Sequence, residues 1–140
     1  MRAVTQAEVE RYVGLRYEPG RFDCADLAQR VQRELFGREV ALPQDRPRPR
    51  QLKSMIREVA HLQPAVAAKR ASPAEWSTGD GVLMSIGSLP VHIGVLFWIA
   101  GEWWVLHNDL TCAQSVLTRL RDAQAAGFNV EGVYAWRSPS

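Results

Sequence analysis

The sequence predicts an α+β domain in which helices come first and an antiparallel sheet follows. Apolar residues recur at helical spacing in the first half of the chain, whereas β-branched, aromatic and alternating runs fill the second half. The chain has 140 residues, of which 46% are hydrophobic and 23% charged, enough to bury a core of its own. We therefore expect a single domain over residues 1–140, with N-terminal helices packed on one face of an antiparallel β-meander.

Two helices are predicted in the first 40 residues. Thr5 followed by Glu8 forms a capping-box pattern, which predicts a short helix through about Val13. Asp23 can act as the N-cap of a second helix that ends near Gly37. This second helix is amphipathic, and its apolar stripe includes the cysteine that directly follows Asp23.

A third helix and four strands are predicted in the rest of the chain. Prolines exclude regular structure over residues 41–50, after which apolar residues at helical spacing predict a helix over about 51–61. The predicted strands are Gly81–Ile86, Val91–Ile99, Glu102–His107 and Val130–Trp136.

Cys24 is the residue most suggestive of function. It lies in the first turn of the second helix, where the macrodipole and unpaired backbone N–H groups favour the thiolate, which is the nucleophilic form. Cys112 lies in a predicted connecting segment without an adjacent base, and His61 lies at the end of a charged helix; neither is assigned a role. Because two cysteines are too few for a disulfide framework, we expect reduced thiols.

Two histidines are expected to share one face of the sheet. If Ala100-Gly101 is a two-residue turn, His107 stands opposite Gly94 and diagonal to His92. Both imidazoles then project from the same face, because side chains alternate with a period of two. Gly94 has no side chain, so we expect room beside His92 for the helix that carries the thiol.

These residues supply the parts of a thiol nucleophile. Cys24 would attack, one imidazole would take its proton, and a third group would hold that ring in one tautomer. His92 and His107 can fill the last two roles in that order. The backbone N–H of Cys24, with the hydroxyl of Tyr17 as a second donor, could stabilise the oxyanion that forms on a carbonyl.

A zinc site is the alternative that the same residues allow. Cys24, His92 and His107, with Asp109 as a fourth ligand, are of the types that zinc takes tetrahedrally. The tight spacing of a structural zinc site is missing, so we predict no metal and no cofactor.

Composition excludes two other classes. The net charge is +2, and the densest basic stretch, residues 46–50, is interrupted by prolines, which argues against nucleic acid as a partner. No run approaches the roughly 18 apolar residues of a membrane span, and the amino terminus lacks an apolar signal segment. We therefore expect a chain made in the cytoplasm, with no export signal.

The chain resembles the NlpC/P60 family of cysteine peptidases over about residues 12–136. The closing strand is similar to that of the family's phage-tail-associated members. The matching segments are Leu15-Arg16-Tyr17, Phe22-Asp23-Cys24-Ala25-Asp26-Leu27, Gly79-Asp80-Gly81-Val82-Leu83-Met84, His92-Ile93-Gly94-Val95, Val105-Leu106-His107 and Val130-Glu131-Gly132-Val133-Tyr134-Ala135-Trp136.

The resemblance implies a papain-like α+β fold and hydrolysis of an amide bond in the stem peptides of peptidoglycan. Cys24 would be the nucleophile, His92 the base, His107 the orienting residue and Tyr17 the tyrosine that lines such sites. It also implies other phage tail proteins as partners, with the protein carried in the virion tail or delivered to the periplasm by the injection machinery.

Two departures from the family pattern keep other functions open. Asp26 stands where the family usually has glycine, and Tyr17 is closer to Cys24 in sequence than is usual. An acidic neighbour can raise the pKa of a thiol, so the alternative is an inactive tail assembly or binding module of the same fold. Acyl transfer to an amine or alcohol is a further possibility, because a thioester reacts with either.

Overall fold

The computed structural model describes residues 4–18, 21–40, 67–86, 89–109 and 111–136. Within these residues, two N-terminal helices pack against a six-stranded antiparallel sheet, which confirms the predicted α+β class. The predicted helix over 51–61 lies outside the described residues.

Both described helices begin at the predicted caps. Helix α1 spans Gln6–Glu10, and the capping box between Thr5 and Glu8 is present; the chain then continues as turns, so this helix is shorter than predicted. Helix α2 spans Cys24–Phe36, with Asp23 as N-cap. It ends at Gly37, whose φ of 62° is in the left-handed region that glycine adopts without strain.

The sheet contains the four predicted strands and two others. In spatial order it runs β1-β6-β2-β3-β4-β5, so that β2 to β5 form a meander and β6 lies between β1 and β2. The strands are β1 Ala67–Lys69, β2 Gly81–Ile86, β3 Leu89–Ile99, β4 Glu102–Asp109, β5 Gln114–Arg119 and β6 Asn129–Trp136. Short 3₁₀ turns occur at Pro73–Glu75 and Leu120–Asp122.

Strands β1 and β5 were not predicted, and in both cases tertiary pairing overrides a weak local pattern. Strand β1 is only three residues long and pairs with β6 at the edge of the sheet. Strand β5 spans Gln114–Arg119 and begins at the end of the connecting segment that we expected around Cys112. It pairs with β4 along Trp104–Asp109, and its Ser115 is fully buried, donating from Oγ to the carbonyl oxygen of Tyr12.

The sheet separates two apolar clusters. We call the first the helix-side core; it packs α1 and α2 against one face and includes Leu27, Val31, Ile93, Val95, Phe97 and Leu106. We call the second the outer core; it lies on the opposite face and consists of Val82, Met84, Leu96, Val105, Ala123, Phe128 and Val133. Alternate residues of β3 therefore belong to different cores.

Strands β3 and β4 part at one end, and we call this place the fork. Their pairing runs from Ile99↔Glu102 to Gly94↔His107 and stops there. Beyond that point β3 stays paired with β2, while β4 stays paired with β5 as far as Asp109. The fork is therefore an opening between two strands that are no longer hydrogen-bonded to each other.

Candidate active site

The two predicted histidines form a pair at the fork. His92 Nε2 lies 2.7 Å from His107 Nδ1, and the ring planes are inclined at 84°. The observed register places His107 opposite Gly94, as the hairpin turn predicted. The expectation that both rings share one face of the sheet is confirmed.

The outer ends of this pair have different surroundings. His107 Nε2 lies 3.0 Å from Thr118 Oγ1, so both nitrogens of His107 are engaged. Phe128 stacks on His92 at 4.9 Å between centroids and meets His107 edge-on at 5.1 Å, which covers the pair from the outer core. Among the described residues, none is hydrogen-bonded to His92 Nδ1.

Both rings are neutral at pH 7. Burial lowers the pKa of His92 to about 3, and the neighbouring charge of His107 lowers it further in the same direction. Burial lowers the pKa of His107 to about 4, although the carboxylate of Asp109 acts in the opposite direction. The pair therefore holds two neutral imidazoles joined by one shared N–H, instead of an imidazolium.

The expectation that Gly94 leaves room for the helix that carries the thiol is wrong. A side-chain carbon at this position would lie 2.5 Å from Val105 Cγ2, 2.9 Å from the Leu106 carbonyl oxygen and 3.1 Å from His107 Cβ. The glycine therefore makes room for β4 and not for the helix. It allows β4 to approach closely enough for His107 to reach His92.

The amino terminus of α2 is held at the fork by Asn108. The side-chain Nδ2 of Asn108 donates to the carbonyl oxygens of Phe22, at 3.0 Å, and Asp23, at 3.3 Å. Asn108 is the β4 residue next to His107, just past the last β3–β4 pair. One strand therefore fixes both the orienting imidazole and the end of the helix that begins with Cys24.

Cys24 is the first residue of α2 and is 5% exposed, within the helix-side core as the apolar stripe predicted. The Asp23 carboxylate accepts from Ala25 N at 3.1 Å and Asp26 N at 3.2 Å. The Asp23 cap thus engages the second and third amides of the helix. The thiol and the histidine pair lie at the same end of the sheet but belong to different faces, because Cys24 is in the helix-side core whereas Phe128 of the outer core covers the two rings. A direct contact between Cys24 and His92, which would have to be made through the fork, stays a prediction.

Asp26 has a structural role that accounts for a carboxylate at this position. Its Oδ2 accepts from the Asp23 backbone N–H at 2.9 Å and completes a reciprocal capping box at the start of α2. The side chain is half-buried. The Asp26 carboxylate therefore stabilises the start of the helix that carries the thiol.

Tyr17 lies in the segment between α1 and α2, seven residues before Cys24. Its backbone N–H donates to Ala113 O at 3.0 Å, next to the isolated bridge between Arg16 and Gln114, which attaches this segment to the edge of β5. Its side chain is half-buried. Its predicted place beside the reacting carbonyl stays a prediction.

The geometry does not favour the zinc alternative. Zinc bound to both rings would hold the two nitrogens roughly 3.3 Å apart, given Zn–N bonds of about 2.0 Å in tetrahedral geometry, whereas here they are in direct hydrogen-bond contact. The Asp109 carboxylate is turned to its own loop, where it accepts from Thr111 N and Cys112 Sγ. In the part of the chain that the structure describes, no group of three potential ligands is placed to hold a metal.

Cys112 differs from Cys24 in its exposure and in its surroundings. Neither cysteine is in a disulfide, and Cys112 is exposed whereas Cys24 is buried. A hydrogen bond to Asp109, together with the charge of that carboxylate, raises the pKa of the Cys112 thiol. Cys112 is therefore a suitable internal reference for the reactivity of Cys24.

Trp98 and Trp103 lie on the same sheet face as the histidines. With Trp76 they line an open cavity of about 570 Å³, and Trp98 is 51% exposed. Trp98 follows His92 by six residues along β3, a distance of about 20 Å at ~3.3 Å per residue. The cavity is thus remote from the imidazoles and cannot border the reacting atoms.

The sequence patterns missed three residues that build this site. They are Asn108, Thr118 and Phe128, which hold the helix terminus, the second imidazole and the outer side of the ring pair. The register that places His107 opposite Gly94 would also have placed Asn108 on the helix side. Thr118 required strand β5, and Phe128 required the loop before β6, neither of which has a strong local pattern.

Neither described helix is long and apolar enough to cross a membrane. No known family model matches the chain, and no curated protein matches it. The likeness to NlpC/P60 peptidases therefore rests on the motif residues alone.

Proposed function

We propose that the chain is a cysteine hydrolase with a papain-like NlpC/P60 fold, which cleaves an amide bond in peptidoglycan stem peptides as part of a phage or prophage tail. The observation that carries the proposal is the 2.7 Å contact between His92 Nε2 and His107 Nδ1, at the fork where α2 begins with Cys24. A base held by a second polar group is one of the parts that nucleophilic catalysis requires, and the proposal has the helix-terminal thiol reach this base through the fork.

In the proposed reaction His92 acts as a general base. Its Nδ1 takes the proton of the Cys24 thiol as the sulfur attacks the carbonyl carbon of the substrate. The negative charge on the carbonyl oxygen is stabilised by the backbone N–H of Cys24, with the Tyr17 hydroxyl as the second donor. His92 then returns the proton to the leaving amine, which leaves a thioester on Cys24.

Water completes the cycle. His92 removes a proton from water as the oxygen attacks the thioester, and the thiol leaves with that proton, which releases a carboxylic acid. An amine or alcohol in place of water would make the same site an acyltransferase. The low pKa of His92 favours a neutral imidazole in the resting state, which is the form that can accept a proton.

The substrate and the location come from the resemblance alone. A stem peptide of the cell wall is the substrate class of the family, and a tail component would reach the wall through the injection machinery. The proposal therefore has peptidoglycan peptide and other tail proteins as its partners, and no cofactor enters the chemistry.

Digestion of purified sacculi tests the proposal. Wild-type protein is expected to release new peptide fragments, identified by mass spectrometry, whereas Cys24→Ala should release none and Cys112→Ala should match the wild type. The masses would identify the bond that is cut. Release of the same fragments by Cys24→Ala would contradict the proposal.

The second candidate is an inactive module of the same fold. Asp26 favours it, because a carboxylate in the first turn counteracts the helix dipole that would otherwise lower the thiol pKa. In that case neither wild type nor Cys24→Ala releases fragments. If Asp26→Gly then gains cleavage, the carboxylate is what suppresses the activity.

A further inference from the structure

The hydroxyl of Thr118 lies at the end of a hydrogen-bonded series that begins at His92. The proposed reaction gives this hydroxyl no role. His92 Nε2 contacts His107 Nδ1 at 2.7 Å, and His107 Nε2 contacts Thr118 Oγ1 at 3.0 Å. Thr118 pairs with Val105, two residues before His107 on β4, so it is the diagonal neighbour of that ring on the same face. The pairing of β4 with β5 therefore fixes the contact between His107 and Thr118.

The series allows only two arrangements of its protons. A neutral imidazole carries one N–H, so one nitrogen donates and the other accepts. If Thr118 accepts, His107 is protonated at Nε2, its Nδ1 accepts from His92 Nε2–H, and His92 Nδ1 carries no proton. If Thr118 donates, every bond reverses, and His92 Nδ1 carries the proton instead.

Only the first arrangement is compatible with the base chemistry. His92 can take the thiol proton only if its Nδ1 is unprotonated before the transfer. After the transfer His92 is protonated at both nitrogens, so its Nε2–H must find a lone pair on His107 Nδ1. In the reversed arrangement two N–H groups would face each other across 2.7 Å.

We propose that Thr118 is a positioning residue whose hydroxyl oxygen accepts a hydrogen bond from His107 Nε2–H and thereby sets the tautomer of both histidines. The consequence for catalysis rests on the proposed hydrolase function. The tautomers themselves are a property of the resting protein and can be measured without a substrate.

Long-range ¹H–¹⁵N NMR correlation of uniformly labelled protein at pH 7 tests the proposal, because it distinguishes a protonated from a bare ring nitrogen. In the wild type, both His92 and His107 are expected to be protonated at Nε2. In Thr118→Val, which keeps the shape but removes the hydroxyl, His107 is expected to lose this preference. Cleavage of sacculi (kcat/KM) should fall about tenfold, the effect of losing one hydrogen bond.

Two variants provide the controls. Thr118→Ser keeps the hydroxyl and should restore the wild-type spectrum and bring kcat/KM to within about twofold of the wild type. Thr111→Val removes an exposed threonine hydroxyl on the turn after β4 and should change neither readout.

Several results would overturn the proposal. A wild-type spectrum with His107 protonated at Nδ1 does so without any variant, which covers the case in which Thr118→Val fails to fold. A Thr118→Val protein with unchanged tautomers, or with changed tautomers and unchanged kcat/KM, does so as well. If the wild type shows the expected tautomers and Thr118→Val shifts them, but no protein cleaves sacculi, the hydrolase proposal fails while the tautomer role of Thr118 stands.

Discussion

His92→Ala is expected to lower the cleavage of sacculi by about 10²- to 10⁴-fold, the range that loss of a general base produces. His92 is the ring that has Nδ1 available, since its Nε2 is committed to His107. Without it the Cys24 thiol has no base at the fork among the proposed groups. The measurement is kcat/KM for wild type and variant, with circular dichroism to confirm that both are folded.

His107 provides the matched comparison. His107→Ala should cost less than His92→Ala, because the base remains but is no longer held in one orientation. His107→Asn should recover part of the loss, because a side-chain amide can offer His92 an acceptor oxygen. An equal loss in His92→Ala and His107→Asn would contradict the assignment of base and orienting residue.

Acidification is expected to destabilise the fold strongly between pH 6.5 and pH 4. The folded protein holds His92 and His107 neutral, with pKa values lowered to about 3 and about 4, whereas in the unfolded chain both titrate near 6.5. In this window the unfolded state binds more protons, so the free energy of unfolding falls as the pH falls. Two protons correspond to a slope of at most about 2.7 kcal/mol per pH unit.

Urea unfolding at a series of pH values measures this slope. A double variant, His92→Asn with His107→Asn, removes both titrating groups and should show a much flatter dependence between pH 6.5 and pH 5, above the range in which carboxylates titrate. The same slope in the wild type and the double variant would show that the two rings are not buried as a neutral pair.

The sequence predicted the features that depend on local periodicity and on one turn. The Ala100-Gly101 turn set the register of β3 and β4, and this register placed His92 and His107 on one face. Asp23 marked the start of α2, because a short polar side chain before an apolar stripe caps a helix.

The remaining features depend on contacts between distant parts of the chain. Strand β5 is held mainly by pairing with β4, so the contact between Thr118 and His107 had no local signal. Phe128 contacts the two rings from a loop that follows the 3₁₀ turn at Leu120–Asp122. Gly94 makes room for β4 and not for the helix, which its pattern could not predict because a glycine in a strand pattern does not indicate which neighbouring segment approaches it.

The rate of alkylation of each cysteine by iodoacetamide at pH 7, followed by peptide mass spectrometry in wild type and His92→Ala, tests most directly whether an imidazole activates the helix-terminal thiol. Cys24 is expected to react faster than Cys112, because His92 takes its proton as the sulfur attacks, whereas the Asp109 carboxylate raises the pKa of Cys112 and lowers its thiolate fraction. His92→Ala should remove most of this advantage and leave Cys112 unchanged. Faster reaction at Cys112 than at Cys24 in the wild type, or an unchanged rate at Cys24 in His92→Ala, would contradict the pairing of thiol and base.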